Sequence, residues 1–547
     1  MTTFQDQASL FVTLVLALAL STAVIPILWH LAPRLGLLDH PDERKIHIRP
    51  IPRTGGWGVF FGALLPILIL FDFDRVSLSY LGGSIVLFVF GVWDDARDVG
   101  HRVKFIGQFL AVAILVFYGD LWIAKIPVIG SVSAWIGKPF TFFAIIGMIN
   151  ALNTSDGLDG LAAGESLLSL LMIAVLSYIA GSVFAVAIST AVIGSVLGFL
   201  RYNTYPARVF LGDSGSQFLG FTLGFLAVLL TQHVDPSISP AATLLFLGLP
   251  IVDIIAAMII RAKNGKKMFV ADRNHIHHRL IALGFDHHET VVIIYLLQSL
   301  LVISTVFLRY ASDTLIIGFY MGISILIFSL LTRAERTRWH VDHRAKPSRI
   351  EAMSLAIQNN DKIGWTSFVV VMVAVPVYMF IGSLGVASVP RDFGIIATLL
   401  FAVVIAELAF SKGSRSVTAR GAIYVAAIFA VYLTIHEPSG LAPYMKSIEF
   451  GYFFVLSMAI ALCVRCTREN MFEITPMDFL IVCGAVTAGI LGGRNLQIQE
   501  TSFIVIKAII LLYGCELLLS RLVKKWNILN ISAVMALGVL GARGLFG

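Results

Sequence analysis

The stretch Asn150-Ala-Leu-Asn153-Thr-Ser-Asp156-Gly157-Leu-Asp159-Gly160-Leu-Ala-Ala-Gly164 sets two amides and two carboxylates at regular spacing between two long apolar runs. Ionisable groups at membrane depth are costly and usually handle ions or substrates. Gly157 and Gly160 let the backbone turn sharply and come close to a ligand. A turn whose Asn and Asp residues only satisfy their own backbone is the plainer alternative, but such a turn needs one or two of them, not four.

Working outward, composition decides the class. With 58% hydrophobic residues, 13% charged residues and a mean hydropathy of +0.87, the chain carries more apolar surface than a soluble fold can hide. It reads as an all-α polytopic integral membrane protein. The net charge of +7 would suit nucleic acid, yet Lys and Arg sit in short loops between apolar runs, as the positive-inside rule expects. No nucleic-acid partner is expected. Cys463, Cys466, Cys483 and Cys515 lie in or beside C-terminal apolar runs and form no disulfide framework. The Cys463-Val-Arg-Cys466 spacing lacks a second Cys or His pair, so these read as membrane-core thiols.

Apolar runs near 9–30, 55–71, 79–93, 105–118, 139–152, 161–180, 183–200, 217–231, 241–260, 290–308 and 313–331 predict about 11 spans in a first domain, residues 1–335. A polar, basic linker follows at 336–362. Runs near 365–385, 395–410, 421–435, 450–464, 477–491, 502–520 and 529–542 predict about seven more spans in residues 363–547. Arg34, Arg44, Lys45, Arg49 and Arg53 place the first loop in the cytoplasm and the N-terminus outside. Alternation then brings loops 34–53, 94–104, 153–160, 201–213, 261–289 and 332–362 to one cytoplasmic face of the inner membrane.

That face collects the chemistry. Adjacent Asp94 and Asp95 repel each other and invite a divalent cation or a cationic group, unless they merely pair with Arg97, Arg102 and Lys104. Asp213, between Gly212 and Ser214, suits either a ligand site at a helix start or an N-cap. Lys45, His47 and Arg53 could hold phosphate or simply set topology. His275, His277 and His278 with Arg273 and Arg279 suit phosphate better than zinc, since no cysteines accompany them. His287 and His288 read as first-turn residues, because Asp286 and Glu289 form a capping-box pattern. Carboxylates that hold Mg²⁺, and cations that take the remaining phosphate charge, suit phosphoryl transfer from a soluble nucleotide to a lipid phosphate in the bilayer.

Four ordered motifs carry a resemblance. Asp94-Asp95 with Lys104-Phe105 and Gln108, then Asn150-x-x-Asn153-x-x-Asp156-Gly-x-Asp159-Gly, then Phe210-Leu-Gly-Asp213-Ser-Gly-Ser, then His275-Ile-His277-His278 resemble the polyprenyl-phosphate N-acetylhexosamine-1-phosphate transferases over residues 1 to about 335. Ile276 interrupts the three consecutive His of the phospho-MurNAc-pentapeptide translocase branch, so the chain resembles the branch using UDP-GlcNAc-like donors. The resemblance implies that Asn153 and Asp213 contact Mg²⁺, or Mn²⁺ in its place. It implies that Asp94, Asp95, Asp156 and Asp159 are catalytic, and that Lys45, His47, Asn150, Asn203, His275, His277, His278 and Arg279 bind substrate. The substrates would be a UDP-N-acetylhexosamine and undecaprenyl or another polyprenyl phosphate, with UMP released as a lipid-linked glycan of cell wall, O-antigen or exopolysaccharide begins.

An intramembrane prenyltransferase is the first alternative, because Asp94-Asp95-x-x-Asp98 and Asp156-x-x-Asp159 look like paired Asp-rich motifs. A transporter is the second, although it would place acids near the midplane, often on broken helices in repeated halves. Residues 363–547 carry no acidic or His cluster and lie outside the resemblance. They read as a membrane domain that docks a glycan-assembly protein or a second copy, or as an inert extension, with Gly484, Ala488 and Gly492 as a small-residue packing stripe.

Overall fold

The computed structural model describes residues 4–41, 49–265, 274–341, 361–410, 417–436, 442–465, 496–522 and 528–546. Lys45, His47, Arg273, most of the linker, the run at 477–491 with Gly484, Ala488 and Gly492, Cys466 and Cys483 lie outside the described residues. The described chain divides into two compact units, one up to Val341 and one from Asp361.

The first unit is a helical bundle. Its helices are α1 (Phe4–Leu35), α2 (Gly55–Leu70), α3 (Arg75–Arg97), α4 (His101–Ala113, extended by a π-turn at Ile114–Tyr118), α5 (Ala134–Ser155), α6 (Leu161–Ile179) and α7 (Val183–Asn203). They continue as α8 (Gly212–Leu229), α9 (Thr243–Phe246), α10 (Gly248–Lys263), α11 (Ile276–Ala282), α12 (His287–Leu308) and α13 (Asp313–Arg336). Two short ribbons, Leu38–Asp39 with Ile51–Pro52 and Lys125–Ile126 with Gly130–Ser131, are the β-structure of this unit. Among the described residues of this unit, nine helices are long and apolar enough to cross a membrane, and α2 is a shorter apolar helix. The chain is a multi-pass membrane protein.

Helix starts follow local chemistry. Asp74 accepts from Ser77 N at 2.8 Å while its own N–H donates to Ser77 Oγ at 2.7 Å, which closes a capping box on α3. The expected box on α12 is present too: Glu289 N donates to Asp286 Oδ1 at 2.8 Å and Asp286 N donates to Glu289 Oε2 at 3.0 Å, with His287 and His288 in the first turn. Each satisfies two N–H groups that the helix itself leaves open.

α8 is the axis. It is buried from Ser214 to Leu229, with α2, α3, α5, α6 and α7 packed around it. Lipid offers no less apolar contact than a neighbouring helix, so close van der Waals approach at small residues has to hold the bundle. At Gly91 of α3 an added Cβ would lie 2.5 Å from Ser214 Cα, and at Gly220 of α8 it would lie 2.7 Å from Ile149 Cα of α5.

The run at 241–260 is not one span. It breaks at Leu247 into two pieces, Pro240–Phe246 and Gly248–Lys263, bent by 89°. Open backbone groups at a break inside a bilayer need protein partners. Gln298 of α12 supplies two: its Oε1 accepts from Leu249 N at 2.8 Å and its Nε2 donates to Phe246 O at 3.3 Å. Tyr320 of α13 supplies a third, donating to Gly248 O at 2.8 Å. Hydropathy over 241–260 is continuous, so the sequence alone reads a single helix there.

The second unit contains α14 (Asp361–Leu384), α15 (Arg391–Phe410), α16 (Val417–His436), α17 (Ala442–Arg465), α18 (Leu496–Arg521) and α19 (Ile528–Phe546). A small-residue contact in it lies between α15 and α19, where a Cβ on Gly394 would lie 2.6 Å from Gly544 Cα. Lys507 of α18 pairs with Glu449 of α17 at 2.8 Å, and Tyr378 of α14 donates to the same carboxylate at 2.9 Å. Cys463 and Cys515 are both fully buried.

Gly91→Ala should push α3 off α8 and lower stability by about 1–3 kcal/mol. Gly147→Ala, with no heavy atom within 4 Å of its Cβ, should leave the thermal midpoint in detergent unchanged or slightly raised. Equal midpoints for the two variants would contradict the close α3–α8 contact.

Candidate active site

The site is built on the first turn of α8. Gly212 opens the helix with φ +72°, which removes the strain a side chain would bring there. Leu211 stands at the N-cap and caps nothing with its side chain. A carboxylate from α3 does so instead: Asp95 Oδ1 accepts from Asp213 N at 2.8 Å and Asp95 Oδ2 accepts from Ser214 N at 3.1 Å. Asp213 is therefore not the N-cap, and its own carboxylate is turned to other partners.

Those partners come from α4 and α5. Lys104 Nζ lies 3.1 Å from Asp213 Oδ2 and 2.7 Å from Asp94 Oδ2, so one ammonium bridges two carboxylates from helices far apart in sequence. Asn153 Nδ2 donates to Asp213 Oδ1 at 2.6 Å and to Ser216 Oγ at 2.8 Å. Asp94 also accepts from Val99 N at 3.1 Å. With Asp94 and Asp95 only 2% and 6% exposed, each needs such partners. The two adjacent acids thus have different duties: Asp94 faces Lys104, and Asp95 caps α8. The first loop closes against the same turn, since Gly55 N donates to Phe210 O at 2.9 Å and Gly56 N to Leu211 O at 2.8 Å. Arg53 pairs with Asp39 across the Leu38–Asp39 ribbon.

A second ring forms around the 156–160 turn. Burial first, and then the fields of Asp213, Asp159 and Asp95, push the Asp156 carboxyl up to about 8. Asp159 Oδ2 accepts from Ala207 N at 2.9 Å. Asn203 is a clip and not a free ligand: its Oδ1 accepts from Gly160 N and its Nδ2 donates to Val209 O, both at 2.9 Å. His277 lies directly against Gly157, which brings the His segment onto this turn. Burial, followed by the neighbouring His278 and His275, holds the His277 imidazole down at about 3, so it is neutral. His278 is half-buried with its ring 4.2 Å from that of His277.

Other expected residues are engaged elsewhere. Arg279 donates to Glu335 through Nε at 2.7 Å and Nη2 at 2.8 Å, and to Thr332 at 3.0 Å, which ties α11 to α13 instead of presenting a fork to the turn. Both nitrogens of His275 have partners, Asp253 at 2.8 Å and Arg261 at 3.3 Å. Asn150 Nδ2 donates to Gln108 Oε1 at 2.8 Å, and Gln108 Nε2 donates to Gln217 at 3.2 Å, forming an amide ladder beneath the carboxylates. Asp253 and His287 belong to the same end of the bundle and were not among the expected site residues; Lys104 was expected only as a motif residue and as an ion-pair partner of Asp94 and Asp95, and it does pair with Asp94. His287 Nε2 is 3.4 Å from Asp159 O and its ring stacks on Tyr205 at 4.2 Å. A lone Asp within the apolar 241–260 run was the available signal for Asp253.

Among the described residues, no three His, Cys, Asp or Glu side chains converge closely enough to hold a metal by themselves. The donor set around Lys104 is two carboxylates and an amide, Asp94, Asp213 and Asn153. Oxygen donors of this kind fit a hard divalent cation that keeps several waters. The ammonium between Asp94 and Asp213 shows that the pair already holds positive charge there.

Fold and site together define a polytopic membrane protein with a cluster of carboxylates, amides and histidines at one end of its bundle. Residues 77–231, which contain Asp94, Lys104, Asn153, Asp156, Asp159 and Asp213, match the model described as Glycosyl transferase family 4. The probable undecaprenyl-phosphate N-acetylglucosaminyl 1-phosphate transferase of Bacillus subtilis (strain 168) is 34% identical over 334 residues, covering 59% of this chain and 91% of that protein. The undecaprenyl-phosphate alpha-N-acetylglucosaminyl 1-phosphate transferase of Escherichia coli (strain K12) is 30% identical over 288 residues, covering 51% and 78%. The decaprenyl-phosphate N-acetylglucosaminephosphotransferase of Mycolicibacterium smegmatis is 28% identical over 334 residues, covering 54% and 82%. The chain belongs to this family of polyprenyl-phosphate N-acetylhexosamine-1-phosphate transferases and is a glycosyl-1-phosphate transferase. Neither alternative finds support. The third acid a prenyltransferase motif would need, Asp98, ends α3 in a left-handed conformation at φ 47° and is exposed.

If Asp95 caps α8, Asp95→Ala leaves two buried N–H groups open and should cost about 1–3 kcal/mol for each. Asp95→Asn keeps one acceptor oxygen and should fall between that variant and the natural protein. Thermal unfolding in detergent reads the order, and equal midpoints for the Ala and Asn variants would contradict the cap.

Proposed function

We propose that this chain transfers N-acetylglucosamine 1-phosphate from UDP-N-acetylglucosamine to undecaprenyl or another polyprenyl phosphate, releasing UMP and starting a lipid-linked glycan. The observation that carries this is the Asp94–Lys104–Asp213 bridge beside Asn153, set next to the Asp156–Asp159 turn on which His277 rests. Family membership supports the acceptor and the group transferred, since the three relatives are named for undecaprenyl or decaprenyl phosphate and for N-acetylglucosamine phosphate. The Ile276 interruption of the His run supports a UDP-GlcNAc donor over a MurNAc-pentapeptide one.

An oxygen of the lipid phosphate attacks the β-phosphorus of the donor, and the bond from that phosphorus to the oxygen shared with the α-phosphate breaks. UMP leaves with the electron pair. The acceptor's second pKa is near 6, so at neutral pH it is largely deprotonated, and positioning with charge neutralisation supplies most of the rate. Asp94, Asp213 and Asn153 would hold Mg²⁺, or Mn²⁺, which supplies neutralisation of the donor diphosphate when bound. Lys104, anchored by both carboxylates, is the cation that would meet the lipid phosphate. His277 and His278 face the donor across the 156–160 turn. Lys and Arg in the loops at this end support an active site on the cytoplasmic face of the inner membrane, where UDP-sugars are found.

Purified protein should release UMP only when UDP-GlcNAc, polyprenyl phosphate and Mg²⁺ are all present, and EDTA should stop it. Asp213→Asn should lower turnover by about 10²–10³-fold, the loss usual when one preorganised charge-stabilising group is removed. Near-normal turnover in EDTA, or in that variant, would overturn the metal assignment.

A further inference from the structure

Asp253 sits on α10, 5% exposed, in a helix of membrane composition, and nothing in the chemistry above uses it. Its two oxygens have two donors from the same short segment. Oδ2 accepts from His275 Nδ1 at 2.8 Å and Oδ1 accepts from the backbone N–H of Ile276 at 2.8 Å. His275 stands at the N-cap of α11 and caps nothing with its own side chain, so a carboxylate from another helix does that work.

The consequence reaches the site in two steps. With His275 Nδ1 turned to Asp253, its Nε2 faces Arg261, whose Nη2 lies 3.3 Å away. The ring plane is then fixed from both ends. His277 lies parallel to it, centroids 5.8 Å apart and planes 9° apart, and its far edge meets Gly157 in the carboxylate turn. Asp253 is therefore linked through His275 and His277 to the turn that carries Asp156 and Asp159. The Lys104 bridge, which the transferase reading assigns to the lipid phosphate, is built on α3, α4 and α8, helices that Asp253 does not touch through this relay.

We infer that Asp253 is a positioning residue for the nucleoside-diphosphate sugar: it orients His275 and the start of α11 so that the His segment engages the donor and leaves the lipid acceptor unaffected. This rests on the transferase reading above. Asp253→Asn keeps the size of the side chain but can accept from only one of the two donors. Partners of this outer kind typically change affinity by about 10–100-fold when lost. The expected result is a rise of about tenfold in KM for UDP-GlcNAc with KM for polyprenyl phosphate within about twofold of normal.

The test is UMP release by the purified full chain in detergent with Mg²⁺, titrating each substrate in turn, for the natural protein, Asp253→Asn, His275→Gln and the double variant. Because Asp253 acts through His275, the double variant should match the more severe single variant within about twofold and not multiply the two effects. A parallel rise in both KM values, an unchanged donor KM, or multiplying effects would overturn the inference. If Asp253→Asn does not accumulate, His275→Gln alone decides: a selective donor KM rise supports the relay, and a rise in both overturns it. Absence of UMP release by the natural protein would instead sink the transferase reading itself, so the two failures are distinguishable.

Discussion

One carboxylate holds this end of the bundle together. Asp95 reaches from α3 to the first two N–H groups of the Asp213-Ser214 turn, and that contact lets α8 begin at membrane depth with its opening donors satisfied. Because the capping duty falls to Asp95, the side chain of Asp213 is released for Lys104 and Asn153. Asp94, one residue earlier and about 100° around the same helix, meets Lys104 from the other side. Adjacent acids that would repel each other in isolation are separated by geometry into a scaffold group and a site group. Gly91, one turn before Asp95, permits the close backbone approach that the cap requires.

The same rule governs the irregular backbone elsewhere in the bundle. A helix can break inside a bilayer only where protein groups replace the lost hydrogen bonds. Gln298 and Tyr320 do this at Leu247, and Asn203 does it for the 156–160 turn, where Tyr295 also donates to Gly160 O at 2.6 Å. Two duties recur among the polar residues at this end. Gln298, Asn203, Asp95 and Asp253 satisfy backbone; Asp94, Lys104, Asn153 and Asp213 face one another across the site.

Much of this was legible from the chain. Apolar run lengths predicted nine of the eleven expected spans of the first unit, the runs at 55–71 and 241–260 giving a shorter helix and a broken one, and the Asp286–Glu289 pattern predicted a capping box because both partners lie within one turn. Alternation of the loops brought Asp94, Asn153, Asp156 and Asp213 to one end, since it depends on counting spans and not on side-chain direction. What the chain hid was every pairing between distant helices. Asn203 and Arg279 looked like ligands because residue type does not say where a side chain points; one clips Gly160 and the other holds Glu335. Asp94 and Asp95 could not be told apart, because their duties depend on how α3 is rotated against α8. The break at Leu247 leaves no mark in hydropathy, and its partner Gln298 lies 49 residues from Leu249. His275, expected to bind substrate, is held by Asp253 from an otherwise apolar run, a pairing 22 residues apart that residue type does not reveal.

Whether this end of the bundle moves a phosphosugar, and not a bare sugar, is the central claim. UDP-GlcNAc radiolabelled at its β-phosphorus, incubated with the purified protein, polyprenyl phosphate and Mg²⁺, gives a direct reading after partition between water and organic solvent. The account expects the label to pass into the lipid phase in step with unlabelled UMP appearing in the water. Label that stays in the water as UDP, while sugar passes to the lipid, would contradict it.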